Sequence, residues 1–289
     1  MYTHMLIDAR NALYRAVYAG LSDPNNSGGD YCTIFFRFVS SYIRKFKPKM
    51  VHFFWDAPKE AVWRKKIYKE YKAHRDHSHG GKYSADQVKI SMDRNTTICQ
   101  EVITCSGCRN FVYDNQEADD LIYAFCRFKR SDKIIIVSRD SDFQQIPFLF
   151  SNVDLYDPMA KDDKIWKTDD VDPVELKCFS GDAGDNIDGY YNIGPVRAKQ
   201  LAIDAQKRDD FFKTHGDEIY RLNRILIDLS LCPYTLQNIT YIDEVLRTRC
   251  SFDMKSIHEI IQRHKVRGLA GDLSNSILPF KFLGSENQN

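Results

Sequence analysis

The chain has 289 residues, of which 43% are hydrophobic and 28% charged, with glycine and proline at ordinary levels. This composition excludes fibrous and low-complexity chains and is typical of a globular protein with one large domain, or one domain and a small appendage. No apolar run approaches the length of a bilayer span, and the N-terminus lacks the features of a signal peptide. We therefore expect a soluble cytoplasmic protein.

The formal charge is only +1, from 41 basic and 40 acidic residues. If nine acids gather in one site, as the motifs below suggest, the rest of the chain carries 41 basic residues against 31 acidic ones. A near-neutral total then conceals an acidic site inside a basic surface, which suits a nucleic-acid partner.

Eight cysteines are scattered along the chain, several within apolar stretches, so reduced thiols are expected rather than disulfides. Cys105 and Cys108 form a CxxC pair. A zinc or redox site would need a second pair or a suitable strand and helix context, and the sequence offers neither.

Three apolar runs are each followed closely by an aspartate. They are Met5–Ile7 with Asp8, Val51–Trp55 with Asp56, and Lys133–Ser138 with Asp140. Shorter strands are predicted at Asn110–Tyr113 and Val153–Tyr156, and helices at Asn11–Ala19, Tyr31–Phe46, Ile90–Cys105 and Ala118–Lys129. The alternation predicts an α/β fold whose mostly parallel central sheet is flanked by helices. The functional site of such a sheet lies at the carboxyl ends of its strands, where these aspartates fall.

Two parts of the chain depart from this alternation. Residues 59–89 are rich in Lys, Arg, Tyr and His and predict a basic, partly helical insertion over the site. From about Asp172 the pattern is almost entirely helical, with no convincing strand, and ends in a tail, Gly284–Asn289, that we expect to be disordered. The predicted domains are an α/β domain over residues 1–171 and a helical subdomain over residues 172–289.

Three further motifs are rich in carboxylates. Glu117-Ala-Asp119-Asp120 opens a helix, and acids there could simply complement the helix dipole, but three in four residues exceed what capping requires. Asp140-Ser-Asp142 follows the most strand-like run, where a DxD phosphatase could also place a nucleophile. Asp182 and Asp185 would share one face of a helical turn, or else lie in a loop with an Asx-turn.

Hard cations such as Mg²⁺ and Mn²⁺ prefer carboxylate oxygens. Two such ions about 4 Å apart can activate a water molecule and stabilise the leaving oxygen of a phosphodiester. The sequence supplies nine acids from five segments and no recognisable nucleophile triad, so metal-dependent phosphodiester hydrolysis fits it best.

In this order the motifs resemble the flap endonuclease/5′→3′ exonuclease family, whose fold is described as PIN/FEN-like. They are LIDARNALYRA, FFWDAP, WRKKIYKEYKAHR, EADD, SRDSDFQQI and GDAGDNIDGYYNIGPVRA. The resemblance runs from Asp8 to about Leu201, extends weakly through Asn223–Leu229, and is strongest to phage members, which include a ribonuclease H that removes RNA primers. Each motif is modest alone, whereas six in the right order are specific.

The resemblance implies a role for each matching residue. Asp8, Asp56, Glu117, Asp119 and Asp140 would form or support a tighter metal site, Asp142, Asp182 and Asp185 would serve a second ion, and Asp120 would be a shared or supporting catalytic residue. Lys72 and Arg75 would lie against the scissile phosphate, Arg15 would contact another phosphate, and Tyr71 could stack on a base beside the cut.

The basic segment also has simpler interpretations. Lys65, Lys66 and Lys69 are as consistent with the solvated face of a helix as with phosphate contacts. Three histidines could suggest zinc but lack cysteine partners and are expected to face solvent; they are His74, His77 and His79. Trp63 and Tyr68 are candidates for the core.

The segment GYYNIGPVRA resembles a helix–three-turn–helix hairpin that binds duplex backbone. Gly189 and Gly194 would let backbone amides approach a phosphate, and the next helix would add its N-terminus, Arg197 and Lys199. Where the family has a third glycine, this chain has Asn192, which tolerates the left-handed conformation better than other residues. The resemblance also implies a monovalent cation such as K⁺ at this hairpin. An ordinary helix–loop–helix connection is the alternative.

The leading hypothesis is therefore a structure-selective nuclease that uses two Mg²⁺ or Mn²⁺ ions on DNA or RNA–DNA hybrids with a 5′ end or flap. A non-catalytic nucleic-acid-binding relative would be expected to lack some carboxylates, and none is missing. A DxD phosphatase would not explain the segment 181–198. We expect a monomer without a membrane partner, and replication proteins such as a single-strand-binding protein are possible partners.

Overall fold

Six strands form the central sheet of the protein, here a computed structural model that describes residues 1–23, 30–58, 62–73, 83–162, 165–166, 168 and 170–283. The strands are β1 (His4–Asp8), β2 (Met50–Phe54), β3 (Arg109–Phe111), β4 (Ile134–Val137), β5 (Val153–Tyr156) and β6 (Ile165–Trp166). Their order is β3-β2-β1-β4-β5-β6, and only β6 pairs antiparallel to its neighbour. The predicted α/β fold with a mostly parallel sheet is confirmed, and the short strand β6 is an addition that the sequence pattern did not indicate.

Strand β1 lies in the middle of the sheet and pairs with both β2 and β4, so it aligns the strand ends that lead into the site. Asp8 is the register partner of Phe54, and Ile7 is the partner of Val137. Because these strands run parallel, their carboxyl ends lie at one edge, where Asp8, Asp56 and Asp140 follow the strands.

Both faces of the sheet are buried beneath helices, as expected for parallel strands. Side chains alternate between the faces, so Met5 and Ile7 join one core cluster while Leu6 joins the other. The first cluster is covered by α1 (Ala9–Ser22), α2 (Tyr31–Phe46) and α4 (Ala85–Cys105), and the second by α5 (Ala118–Phe128) and α6 (Gln145–Leu149). Helix α3 (Trp63–Ile67) lies in the insertion.

The C-terminal part of the chain divides between two positions. Helices α7 (Pro173–Ser180), α8 (Pro195–Ile203), α9 (Ala205–His215) and α10 (Glu218–Ile227) build two small core clusters, one of which also includes Val62 and Tyr71 of the insertion. Helices α11 (Thr235–Arg247), α12 (Met254–His264), α13 (Arg267–Gly271), α14 (Leu273–Ser276) and α15 (Leu278–Lys281) pack back onto the cores of the central sheet.

The prediction of no strand after Asp172 is wrong in one place. Strands β7 (Gly181–Asp182) and β8 (Ile187–Asp188) pair antiparallel and form a two-stranded ribbon with two residues in each strand. Such short strands leave no periodic pattern in a sequence. The predicted domain boundary stays a prediction, and the tail at residues 284–289 lies outside the described residues.

The cysteines carry no cross-link. All eight are free, and six of them are buried. Burial raises the pKa of the Cys108 thiol to about 12, which opposes the thiolate that a metal or redox role would need. The free cysteines are consistent with the reduced state expected from the sequence, which stays a prediction.

Candidate metal centre and nucleic-acid interface

The aspartates that follow the central strands are held in place by backbone and hydroxyl donors. Asp8 caps α1 by accepting from the backbone amide of Asn11 at 3.1 Å, and its other oxygen accepts from Ser138 Oγ at 3.3 Å. Asp56 accepts from the amide of Ala118 at 2.9 Å, which ties β2 to the start of α5. These bonds fix the carboxylates at the predicted edge of the sheet.

Three of the predicted metal ligands form the tightest group of acids. One carboxylate oxygen from each of Asp119, Asp140 and Asp142 lies within 4.8 Å of the others. Asp140 and Asp142 belong to a 3-10 turn, in which the amide of Asp142 donates to Asp140 at 3.0 Å. Asp119, on the first turn of α5, reaches the same point from the neighbouring element.

The electrostatics of this group fit a divalent cation. Burial, with further contributions from Asp56 and Asp140, raises the pKa of Asp8 to about 7. Burial and Asp140 likewise raise the pKa of Asp142 to about 6 and that of Asp119 well above its usual range. Crowded oxygen ligands that repel one another in this way are what Mg²⁺ or Mn²⁺ would neutralise, so the residues present suit the metal.

Glu117 has the opposite electrostatic environment. Burial would raise its pKa, but Lys72 and Arg64 outweigh burial and lower the pKa to about 2. The ammonium of Lys72 lies 2.5 Å from Glu117 Oε1 and 3.5 Å from Asp185 Oδ2. The structure thus brings Lys72 to the acid cluster, as expected from the sequence, although its partners there are carboxylates.

Asp120 faces Arg64 and Trp63 rather than the group formed by Asp119, Asp140 and Asp142, and its shared or supporting role in catalysis stays a prediction. Its carboxylate receives both terminal nitrogens of Arg64, at 2.9 and 3.0 Å, and Trp63 Nε1 at 3.0 Å. It also accepts from the backbone amide of Glu117 at 3.2 Å, because a side chain in the first helical turn can fold back over the helix start. The simple capping interpretation therefore holds for this one acid of the motif.

Arg64 is a site residue that sequence analysis missed. It is 2% exposed and also binds Glu117 Oε2 at 2.8 Å and the carbonyl of Leu226 at 2.8 Å. The run WRKKI has the composition of a solvated basic face. The available signal was that arginine is its one member whose planar guanidinium can bind two carboxylates at once.

Lys177 is the second residue that the sequence did not reveal. It lies on α7, and its ammonium contacts Asp142, Asp182 Oδ2 at 2.7 Å and Ser141 Oγ at 2.9 Å. Arg10, with Nε 3.6 Å from Asp56, adds another cation to the rim.

Asp182 and Asp185 flank the turn of the β7–β8 ribbon. The amide of Gly184 donates to Asp182 Oδ1 at 2.9 Å, and the amide of Asp185 donates to the carbonyl of Asp182 at 3.1 Å. The Asx-turn is confirmed over the helical turn. Both aspartates nevertheless point toward the acid cluster, since Asp182 meets Lys177 and Asp185 meets Lys72 and Tyr71.

Tyr71 is 3% exposed, so its ring is covered in this structure, and its stacking on a base stays a prediction. Its hydroxyl oxygen lies 3.1 Å from Glu117 Oε2 and 3.0 Å from Asp185 Oδ2, so the ring faces inward and its one hydroxyl proton can be donated to either of two buried carboxylates. Trp63 is buried and Tyr68 is partly buried against the core, as expected.

The remaining basic residues of the insertion differ in their surroundings. Lys66 and Lys69 are exposed, whereas Lys65 lines a small cleft with Arg10, Asp56 and Lys72. Arg75 and the three histidines of the insertion lie outside the described residues.

The predicted turn between β8 and α8 is present, and its two glycines, Gly189 and Gly194, have different surroundings. A Cβ on Gly189 would lie 2.2 Å from the backbone carbonyl carbon of Ser180, so close internal packing requires glycine here, and the approach of a phosphate stays a prediction. By contrast, a Cβ on Gly194 would have no atom of the described residues within 4 Å. Gly194 is the N-cap residue of α8, which begins at Pro195. Asn192 has φ +58°, which confirms the left-handed conformation expected of it. Arg197 and Lys199 are exposed.

Arg15 lies on α1, two turns after Asp8. Its guanidinium contacts Tyr42 Oη at 3.4 Å and lies over the ring of Phe38, 5.2 Å from the centroid. Its role as a phosphate contact stays a prediction. Beside Asp140 opens a cleft of about 440 Å³ that is lined by Arg139, Lys161 and Trp166 among others.

Comparison with known proteins agrees with this architecture. The family described as "5'-3' exonuclease, N-terminal resolvase-like domain" matches residues 3–174. The chain is 24% identical over 217 residues to a 5'-3' exonuclease of Mycoplasmopsis pulmonis, covering 72% of this chain and 68% of that protein. It is 26% identical over 212 residues to the flap endonuclease Xni of Shewanella denitrificans, covering 70% and 77%.

Solved structures show the same fold. The bacteriophage T5 D15 flap endonuclease, crystallised with DNA and metal ions, matches with a TM-score of 0.63 at 19% identity, covering 91% of this chain and 99% of that one. The T5 5'-exonuclease with bound zinc matches with a TM-score of 0.64 at 19% identity, covering 90% and 98%. With the family match spanning more than half of the sequence, this chain belongs to the 5'-3' exonuclease family.

Among the described residues, none of the helices combines the length and apolar character that crossing a bilayer requires.

Proposed function

We propose that this chain is a metal-dependent, structure-selective nuclease that hydrolyses phosphodiesters near the 5′ ends of flaps, nicked duplexes or RNA–DNA hybrids. The observation that carries the proposal is the convergence of Asp119, Asp140 and Asp142, with one oxygen of each within 4.8 Å of the others. Family membership and relatives named as a 5'-3' exonuclease and flap endonucleases support it.

Two Mg²⁺ or Mn²⁺ ions are the proposed cofactors. Asp8, Asp56, Glu117, Asp119 and Asp140 would hold or support the tighter ion, and Asp142, Asp182 and Asp185 would serve the second. When bound, the ions would activate a water molecule and stabilise the leaving oxygen of the phosphodiester. The bonds from Asn11, Ser138 and Ala118 orient Asp8 and Asp56 for this task.

Lys72 is the proposed contact to the scissile phosphate, where its charge would stabilise the negative charge that builds during cleavage. Its ammonium lies at the acid cluster, which supports this role. Arg75 is proposed to act beside it, and Arg15 is proposed to contact a neighbouring phosphate. Asp120 acts through Arg64, which binds it and Glu117 together.

The hairpin that leads into α8 is proposed to bind duplex backbone. The open surroundings of Gly194 and the exposure of Arg197 and Lys199 support contact with phosphates, and a K⁺ ion is proposed to assist there. Gly189 contributes by allowing the tight packing that shapes the hairpin.

The biological setting proposed for this activity is primer removal in phage DNA replication, in the cytoplasm of the host. The enzyme would act as a monomer, with replication proteins such as a single-strand-binding protein as partners. Residues 1–171 would form the nuclease domain, including the insertion at 59–89, and residues 172–289 the helical part that binds duplex.

A substrate panel tests this function. Purified protein would be incubated with a 5′-labelled flap, a blunt duplex, an RNA–DNA hybrid and a small phosphomonoester, each with Mg²⁺ and with a chelator. We expect Mg²⁺-dependent cleavage of the flap or the hybrid near the 5′ end. Hydrolysis of the phosphomonoester alone would instead indicate a DxD phosphatase, and no hydrolysis of any substrate would indicate a binding protein.

A further inference from the structure

Lys177 occupies a position that is unusual for a lysine inside an acidic site. Its ammonium contacts Asp142, Asp182 and Ser141, so three oxygens surround its three donors. The side chains of Lys177, Asp142 and Asp182 are only 19%, 16% and 18% exposed. This is the arrangement of a bound cation rather than of a surface ion pair.

The local backbone fixes this position. Helix α7 ends at Ser180, and the next residue, Gly181, has a φ of +75° that turns the chain directly into β7 and so brings Asp182 back toward Lys177. A Cβ on Gly181 would lie 2.4 Å from Gly189 N and Ile187 O, so the turn accepts only glycine. Lysine and aspartate, five residues apart, are therefore held face to face.

The pKa values of Lys177 and Asp182 reflect their contact with each other. Burial alone would lower the pKa of Lys177, but Asp142 and Asp182 outweigh burial and raise it above its usual value. Burial would also raise the pKa of Asp182, yet Lys177 lowers it. A lysine ammonium carries a full positive charge, and its contacts with both carboxylates place that charge between them.

We propose that Lys177 is an internal cation that holds Asp142 and Asp182 together in the metal-free protein, and that a divalent ion binds this pair only by displacing the ammonium. The proposal rests on the proposed metal-dependent function. It identifies the ammonium of Lys177 as the group that competes with the second metal ion for Asp142 and Asp182. A divalent ion bridging both carboxylates would face a like charge a few ångströms away, so the lysine weakens metal affinity at this pair. Lys177 is in this sense a positioning residue that tunes metal occupancy.

Metal binding without substrate tests the proposal directly. Mn²⁺ would be titrated by calorimetry into wild-type protein, Lys177→Met, Lys177→Arg and Lys213→Met. Lys213 lies 2.7 Å from Asp210 on the exposed surface of α9, and its variant controls for loss of a lysine–aspartate pair. We expect Lys177→Met to tighten the weaker Mn²⁺ site at least about tenfold, whereas Lys177→Arg and Lys213→Met keep the wild-type affinity.

Thermal unfolding supplies a second, independent readout. Without metal, loss of the ammonium leaves Asp142 and Asp182 to repel each other, so the Tm of Lys177→Met should fall by about 5 °C. Saturating Mn²⁺ should restore most of that loss, because the metal replaces the missing charge. The control variant should show neither effect. If Lys177→Met proves too unstable to purify, Lys177→Gln carries the same expectation.

The outcomes separate this proposal from the proposed function. If the weaker Mn²⁺ affinity is unchanged or lower in Lys177→Met while flap cleavage still depends on metal, the nuclease assignment stands and the displacement of Lys177 is wrong. If neither wild-type protein nor Lys177→Met binds Mn²⁺ and no cleavage occurs, both are wrong.

Discussion

Arg64 donates a hydrogen bond to each carboxylate oxygen of Asp120, at 2.9 and 3.0 Å, in an ion pair that is almost completely shielded from solvent. The same guanidinium binds Glu117 and the carbonyl of Leu226. One side chain therefore joins the insertion, the start of α5 and the end of α10. Two of its partners, Glu117 and Asp120, lie at the start of α5, the helix that carries Asp119 of the metal-ligand group.

Replacing Arg64 with Met should destabilise the protein by about 3–5 kcal/mol, because Asp120 and Glu117 would be left buried without their partner. Urea unfolding measures this loss. Arg247→Met is the control, since Arg247 pairs with Asp243 on an exposed helix face and its loss should cost far less than the loss of Arg64. Equal effects of the two substitutions would show that the junction does not hold the fold.

Gly189 and Gly194 offer a matched pair of substitutions in the hairpin. Gly189→Ala should destabilise the protein by about 1–3 kcal/mol, because its Cβ would lie 2.2 Å from the backbone of Ser180. Gly194→Ala should change the free energy of unfolding by less than about 0.5 kcal/mol, since the added carbon would meet no atom of the described residues within 4 Å. Comparable stability of the two variants would contradict the packing described for Gly189.

Asn192 should tolerate glycine but not alanine. Its φ of +58° lies in the left-handed region, where alanine costs about 1 kcal/mol and glycine nothing. Chemical denaturation should therefore rank Asn192→Ala below the wild type, with Asn192→Gly equal to it or above. An Asn192→Ala variant as stable as the wild type would mean that the hairpin adopts another conformation.

His52 predicts a dependence of stability on pH. Burial, then His4, holds the pKa of His52 well below its usual range, and its ring bonds His4 at 3.0 Å. As pH falls through the usual histidine pKa of about 6.5, His52 takes up a proton in the unfolded chain but stays neutral in the folded protein. This contribution to stability is present above that pH and is lost below it, by up to about 1.4 kcal/mol per pH unit.

The comparison of His52→Phe with wild-type protein isolates the effect. The difference in unfolding free energy between the two should shift in favour of the variant as pH falls from about 7.5 to about 5. A difference that stays constant with pH would show that His52 protonates in the folded protein.

Much of the fold could be predicted because its signals are local. The apolar runs ending near Asp8, Asp56 and Asp140 marked the parallel strands, and parallel pairing then brought their carboxyl ends together. The left-handed conformation at Asn192 was also predictable, because it depends on the residue's own backbone.

The remainder depended on contacts between distant segments. Tyr71 turns inward because Glu117 and Asp185 need donors, and Asp120 turns toward Arg64 from a different element. A lysine or arginine in a basic run has the same local pattern whether it faces water or a buried carboxylate. The charge pattern therefore did not separate Lys177 and Arg64 from surface residues, and the guanidinium of Arg64 was the one chemical signal available. The two-stranded ribbon was too short to leave a periodic pattern.

The most direct test of the metal-dependent nuclease is cleavage of a 5′-labelled flap in millimolar Mg²⁺ by wild-type protein, Asp140→Asn and Asp210→Asn. Asp140 belongs to the converging carboxylates, whereas Asp210 lies on the exposed surface of α9. We expect Asp140→Asn to lose more than about a hundredfold in rate and Asp210→Asn to match the wild type. Cleavage that persists without Mg²⁺, or an Asp140→Asn variant as active as the wild type, would contradict the account.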